Sequence, residues 1–155
     1  MTMSKCNSHT CANGDAYSGQ ELKGKPDGFG IYCWANGDVY TGEWKRGTLE
    51  GHGVMEFASG EIYDGNYVDG NREGSGCMRW PNGNVYKGEW RKGKREGHGV
   101  MEFASGTTYN GHWVNDIREG SGCMRWANGE VYKGEWKNKR QGHGVMEFAS
   151  GETVL

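Results

Sequence analysis

The chain has 155 residues and a formal net charge of −2, with glycine supplying 29 residues and aromatic residues 12%. Leu, Ile, Val and Phe together supply only 19 residues, too few for a helical bundle, and the near-neutral charge argues against both a disordered chain and a dedicated nucleic-acid binder. Strict G-X-Y spacing is absent, no run approaches the ~18 apolar residues of a membrane span, and Met1 to Cys11 lacks the apolar stretch of a signal peptide.

The first eleven residues read as an N-terminal tail, and 12–155 as a repeat region. Cys6, His9 and Cys11 offer three soft ligands in a C-x2-H-x-C spacing. Zinc sites normally want four ligands at other spacings, so no metal site is assigned. An incidental terminus and an adventitious or interfacial metal site both stay open. The five cysteines, Cys6, Cys11, Cys33, Cys77 and Cys123, are odd in number and widely spread. They do not read as a disulfide framework, and a reducing, intracellular setting is the expectation.

From Tyr17 onward one pattern recurs. Tyr17, Tyr40, Tyr63, Tyr86, Tyr109 and Tyr132 follow one another every 23 residues. Two positions on comes glycine, and two further comes Trp44, Tyr67, Trp90, Trp113 or Trp136, with Glu21 in the first unit. A G-x-G pair follows, then an aromatic four residues later: Phe57, Trp80, Phe103, Trp126 or Phe148. Each unit closes on Asn-Gly or Ser-Gly. Helix is excluded, because the longest glycine-free run between Tyr17 and Val154 is eight residues, His112 to Glu119, and each interior glycine costs a helix about 1 kcal/mol. Tyr40, Gly42 and Trp44 alternate with Thr41, Glu43 and Lys45, which is the period of a strand. Each unit therefore reads as one hairpin, with Asn-Gly and Ser-Gly turns, expected to need positive φ at both positions, joining unit to unit. The expected fold is all-β: an elongated, single-layer antiparallel ribbon of about twelve strands, with hairpins starting at 17, 40, 63, 86, 109 and 132. On its aromatic face the glycines leave room for neighbouring rings to lie flat and interlock.

A second period of 46 residues is superimposed. E-G-H-G-V-M-E-F-A-S-G, from Glu50 and Glu96, alternates with E-G-S-G-C-M-R-W-x-N-G, from Glu73 and Glu119. It places Glu56, Arg79, Glu102, Arg125 and Glu147 at equivalent points off the aromatic face. The spacing of His52, His98 and His143, about 19 Å between successive ones, rules out a shared metal. Cys77 and Cys123 are too distant for a bridge and read as small packing residues. Gly-Ser-Gly is not a nucleophile elbow and no P-loop lysine follows a glycine pair, so no catalytic residue and no cofactor is expected.

The pattern Y-x-G-x-W, then G-x-G and an aromatic, resembles the MORN repeat (membrane occupation and recognition nexus) over about Tyr17 to Val154. The resemblance implies a repeat-only protein whose relatives serve in cytoskeletal, ciliary or membrane-associated assemblies. The leading expectation is a non-enzymatic protein–protein scaffold in the cytoplasm, with a partner segment lying along an aromatic groove. Its expected anchors are Trp44, Tyr67, Trp90, Trp113 and Trp136, beside Tyr40, Tyr63, Tyr86 and Tyr109. Self-packing alone is the competing role for these rings. The alternative is a peripheral membrane or phosphoinositide binder using Arg91, Lys92, Lys94, Arg95, Lys137, Lys139 and Arg140. Lys45 and Arg46 share that basic edge; Asp15, Asp38, Glu61, Glu130 and Glu152 lie on the other edge. Open sheet ends also invite self-association.

Six hairpins at ~9.6 Å each make a ribbon of about 58 Å. Solution scattering is expected to show a rod and circular dichroism strong strand with no helix; a compact sphere or a helical spectrum contradicts the hairpin reading.

Overall fold

The computed structural model describes residues 9–10 and 14–154. Among them there is no helix, and so none long and apolar enough to cross a membrane. They form one open antiparallel sheet whose strands follow chain order throughout. The strands are β1 (His9–Thr10), β2 (Ala16–Leu22), β3 (Lys25–Cys33), β4 (Val39–Lys45), β5 (Thr48–Glu56), β6 (Ile62–Val68) and β7 (Asn71–Arg79). They continue with β8 (Val85–Arg91), β9 (Lys94–Glu102), β10 (Thr108–Val114), β11 (Ile117–Arg125), β12 (Val131–Lys137), β13 (Lys139–Glu147) and β14 (Thr153–Val154). Twelve of these make six hairpins, β2/β3 through β12/β13, and the two-residue strands β1 and β14 add to the ends.

Each hairpin joins a seven-residue strand to one of nine residues, and a bulge absorbs the difference. In β4/β5, Gly42 faces Gly53 but Trp44 faces Leu49, so β5 carries two extra residues. Gly51 takes them up at φ +74°, a region that suits glycine. The Glu43 carboxylate lies over it and accepts the His52 N–H at 3.0 Å. Glu89 does the same for His98 at 2.8 Å, and Gln20 for Phe29 at 2.7 Å.

The turns exchange the roles that the sequence suggested. The pairs of positive φ lie inside the hairpins, at Lys23-Gly24, Arg46-Gly47, Asp69-Gly70, Lys92-Gly93 and Asn115-Asp116. In the Asn-Gly and Ser-Gly turns only glycine crosses over, as Gly37 does at φ +100°. There the Gly37 N–H donates to Trp34 O at 3.0 Å and the Trp34 N–H to Asp38 O at 2.9 Å, in keeping with a longer loop closed by a left-handed residue. In β12/β13 the missing residue leaves Asn138 alone at the tip, at φ +62°.

Neighbouring hairpins are laced at both edges. The Gly70 N–H donates to Leu49 O at 3.0 Å and the Gly93 N–H to Arg72 O at 3.0 Å. The left-handed residue before each such glycine donates to the glutamate of the preceding E-G pair: Asp69 to Glu50 at 3.0 Å and Lys92 to Glu73 at 2.9 Å. On the opposite edge the Ala58 N–H donates to Asp38 at 2.8 Å and the Ala104 N–H to Asn84 at 2.9 Å. Asp15 is buried and accepts from the Tyr32 hydroxyl and the Ala35 N–H. Asp15 and Asp38 are thus building elements of the edge, and Asp15 is not surface charge at all.

Cys33 is disulfide-bonded, which departs from the sequence reading of no disulfide framework. Cys77 and Cys123 are free and half-buried. They sit in one cross-sheet row with Val54 and Val100 and face Lys87 and Lys133.

One face is filled by rings laid over glycine. Gly42 pairs with Gly53 and Gly88 with Gly99, and the Tyr40 and Tyr86 rings cover those pairs. A methyl group on Gly99 would fall inside the Tyr86 ring. Gly24, by contrast, sits at φ +76° with nothing near its missing Cβ. Gly99→Ala is expected to cost about 3 kcal/mol, near the top of the usual overpacking range. Gly24→Ala should cost only the left-handed backbone penalty of about 1 kcal/mol. Denaturant unfolding of the two variants checks this; equal losses would mean that ring-over-glycine packing is not what holds the sheet.

Candidate functional site

The aromatic face has two layers. The inner one is a continuous chain of perpendicular rings. Tyr17 meets Trp44, which meets Tyr40, then Tyr67, Tyr63, Trp90, Tyr86, Trp113, Tyr109, Trp136 and Tyr132. Centroids lie 5.1–5.9 Å apart at 81–90°, the edge-to-face geometry that the ring quadrupole favours. The glycines make the room that was expected: each tyrosine lies over its glycine pair, and the interlocking with its neighbours is edge-to-face.

Polar tips are satisfied within this layer. The Tyr40, Tyr63, Tyr86 and Tyr109 hydroxyls donate to the carbonyls of Glu43, Asn66, Glu89 and His112 at 2.8–2.9 Å. The indole N–H groups of Trp44, Trp90, Trp113 and Trp136 donate to Gly30, Gly76, Gly99 and Gly122 at 3.0–3.3 Å. All nine rings expected to anchor a partner belong here. Tyr40, Tyr63, Tyr86 and Tyr109 are 0% exposed, and Trp44, Tyr67, Trp90, Trp113 and Trp136 are 3–7% exposed. They form the floor of the face, with almost no surface of their own.

The outer layer carries the accessible chemistry. Tyr32, Trp34, Phe57, Trp80, Phe103, Trp126 and Met146 pack on the floor but stay half-buried. Opposite them runs a row of arginines, each stacked on an inner ring. Arg72 lies 4.8 Å from Trp90, Arg95 4.7 Å from Trp113, and Arg118 5.1 Å from Trp136. The row has a reason in the sequence: Arg72, Arg95, Arg118 and Arg140 each stand one residue before Glu-Gly or Gln-Gly, where Pro26 and Leu49 stand in earlier hairpins. Arg72 donates to Gly93 O at 2.8 Å and Arg118 to Asn138 O at 2.9 Å. Arg95 is tied to Asp116 by an Nε–Oδ1 contact of 3.0 Å. Burial pulls the Arg118 pKa below its usual value.

Between the two rows lies a slot of about 360 Å3, lined by Phe57, Glu61, Arg72, Met78, Trp80 and Arg95, among others. The guanidinium of Arg95 reaches across to Trp80 at 5.7 Å, and Arg140 to Trp126 at 5.4 Å. Of the residues expected at an anionic surface, Arg91, Lys92, Lys94 and Lys137 are exposed around the hairpin tips. Lys139 begins β13. Arg95 and Arg140 turn onto the aromatic face instead. Sequence reading did not single out Arg72 and Arg118; their signal was the shared R-E-G step.

The opposite face is polar. His52 bonds Asp64 at 2.7 Å, and His98 bonds Asn110 at 2.7 Å. His98 also faces His112 across β9/β10, a pairing that the sequence reading passed over. No group of three or more His, Cys, Asp or Glu is placed to hold a metal among the described residues; Cys6 and Cys11 lie outside them. In the charge ladder, Glu56, Arg79 and Glu102 are separated across the sheet by Ile62 and Val85. Lys133 meets Glu147 at 3.8 Å.

The MORN repeat family model matches residues 17–39, 40–62, 63–85, 86–108, 109–131 and 132–153. This chain belongs to the MORN-repeat family. No curated protein sequence matches it. Among solved structures, this MORN-repeat chain is similar to the wild-type TCP10 domain of Danio rerio CPAP, at 16% identity and a TM-score of 0.57, over 94% of this chain and 69% of that one. The likeness is one of fold. A looser match is the SAS-4 (dCPAP) TCP domain of Drosophila melanogaster in complex with a Proline Rich Motif of Ana2 (dSTIL). It has 15% identity and a TM-score of 0.37, covering 94% of this chain and 85% of that one; a superposition that loose has no bearing on the MORN ribbon.

Burial raises the tyrosine pKa values along the MORN ribbon's floor, to about 12 for Tyr40 and Tyr109 and higher for Tyr63, Tyr67 and Tyr86. The folded state therefore holds these protons where the unfolded chain, titrating near 10, has lost them. This contribution is complete below pH ~10 and is lost as pH rises through ~12. A pH series of thermal melts with phenolate absorbance is expected to show unfolding and ionisation together above pH ~10. Free ionisation of these tyrosines in the folded sheet would contradict the floor assignment.

Proposed function

We propose that this MORN-repeat ribbon is a non-enzymatic interaction module, and that its aromatic face takes a segment of another protein. The observation that carries this reading is the second, half-buried layer. Phe57, Trp80, Phe103 and Trp126 remain accessible after the inner rings have satisfied one another, and a row of stacked arginines faces them. Half-exposed aromatic and arginine side chains are where binding energy concentrates. The nine inner rings then serve the partner indirectly. Trp90 and Trp136 hold Arg72 and Arg118 in place. Loss of Trp90, at mid-ribbon, weakens binding more than loss of Trp136.

The finer reading is a subunit or adaptor of a cytoskeletal, ciliary or membrane-associated assembly on the cytoplasmic side, with self-association through the sheet ends as a further mode. This part extends the resemblance to MORN proteins, and no cofactor enters it.

One observation favours a second reading, as a peripheral membrane module. The hairpin tips alternate Lys45-Arg46 and Arg91-Lys92-Gly93-Lys94 with exposed Val68, Val114 and Ile117. Basic residues near an anionic leaflet contribute about 1 kcal/mol each. Salt-sensitive liposome sedimentation that reversal of Arg91, Lys92 and Lys94 abolishes would support it.

The test of the main reading is site-specific photocrosslinking in cells. A benzophenone side chain replacing Phe103 is expected to give discrete protein adducts, and one replacing Lys87 on the opposite face none. Adducts from Lys87 alone would move the partner to the polar face.

A further inference from the structure

The aromatic face repeats once per hairpin, a step of about 9.6 Å at ~4.8 Å per strand. Whatever lies along it must present the same side at that interval. An α-helix rises 1.5 Å per residue, so one step takes about 6.4 residues and turns its face away by roughly 80°. A β-strand covers the step in about three residues, but its side chains alternate, so successive hairpins meet opposite sides. Its backbone would also go unpaired against rings. A polyproline II segment has three residues per turn at 3.1 Å each, about 9.3 Å. One side returns at every hairpin, the drift from Phe57 to Trp126 is only about 1 Å, and the backbone needs no internal hydrogen bonds.

Charge selects further. Arg95 is neutralised by Asp116 and, like Arg140, lies across a tryptophan. Arg72 shares its slot with the smaller Phe57, and the 46-residue repeat puts Phe103 at the corresponding position for Arg118. Neither arginine has a carboxylate within ion-pair distance among the described residues. They lie two hairpins apart, about 19 Å, or six polyproline II residues. Glu61 lines the Arg72 slot. Thr107 holds the corresponding place beside Phe103, so the Arg118 slot is the more positive of the two.

We propose that the aromatic face binds an acidic, proline-rich segment of another protein in the polyproline II conformation, three residues per hairpin. Its apolar residues sit over Phe57, Trp80, Phe103 and Trp126, and carboxylates six residues apart pair with Arg72 and Arg118. The arrangement is the one by which aromatic-lined grooves take polyproline segments, with bidentate guanidinium–carboxylate pairing added. This proposal rests on the protein-binding reading above.

The test uses the full chain, isotopically labelled, with indole N–H resonances as the readout. Three 18-residue probes are titrated: (Pro-Glu-Pro)6, (Pro-Lys-Pro)6 and an equally acidic, alanine-rich helical peptide. The first is expected to bind at least 10-fold more tightly than either of the others. Arg118→Glu should lower that affinity at least 5-fold, and Lys87→Glu should leave it unchanged, with melting curves confirming both folds. Should Arg118→Glu unfold the sheet, Arg118→Gln is measured instead and should weaken binding at least 3-fold. Preference for the helix, equal binding of the lysine peptide, or no binding of (Pro-Glu-Pro)6 overturns the polyproline II proposal. If Phe103 still crosslinks a partner, the protein-binding reading survives that result; if neither experiment succeeds, both fall.

Discussion

Everything in this ribbon depends on a tyrosine ring lying flat over two paired glycines. The pair removes both side chains where the ring must descend, and the hydroxyl then reaches a backbone carbonyl three residues on. A tyrosine fixed in that way presents its flanks to the next tryptophan, or to Tyr67, edge on. Each such contact is worth about 0.5–1.5 kcal/mol beyond the area it buries. The chain of rings runs unbroken from Tyr17 to Tyr132, so a single sheet has a core without a second sheet to cover it.

The edges solve a different problem. A single-layer sheet exposes many turns, and a left-handed non-glycine residue costs roughly 1–2 kcal/mol. Here those residues have partners. Asp69, Lys92 and Asn115 each donate a backbone N–H to a glutamate of the hairpin before. The conspicuous E-G step thus holds a neighbour's turn, and the glycine beside it opens the bulge. Asp116, where other turns have glycine, sits at φ +69° and holds Arg95 across the groove, so a backbone penalty is exchanged for a fixed guanidinium.

Much of the fold was legible because the period of 23 is nearly strict and the alternation within it belongs to strands. The six hairpins lie where the tyrosines placed them. Turn types were not legible. Asn-Gly is a strong two-residue signal in isolation, but two bulge residues per hairpin and the lacing between neighbours shift the doubly left-handed turns to pairs such as Arg46-Gly47. The aromatic face was half legible. Aromatic spacing located it, yet spacing cannot say which rings satisfy each other. Tyr40 and Phe57 look equally available in the sequence; only the glycine pair beneath Tyr40 makes it interior. The arginine row was missed for a related reason. Arg95 and Arg140 read as edge charges because the bulge that swings them onto the rings leaves no trace in charge alone.

The two-hairpin alternation has a consequence for how such a chain changes over generations. Every interface is between neighbours, and the two unit types meet in one order, the histidine of G-H-G facing Asn66 or His112 of the next hairpin and the serine of G-S-G facing Glu89 or Glu135. Gain or loss of one hairpin would set like against like, whereas gain or loss of a pair would restore each junction. The natural quantum of inheritance is therefore 46 residues, or about 19 Å, and the ribbon behaves as a ruler whose length is edited in whole divisions.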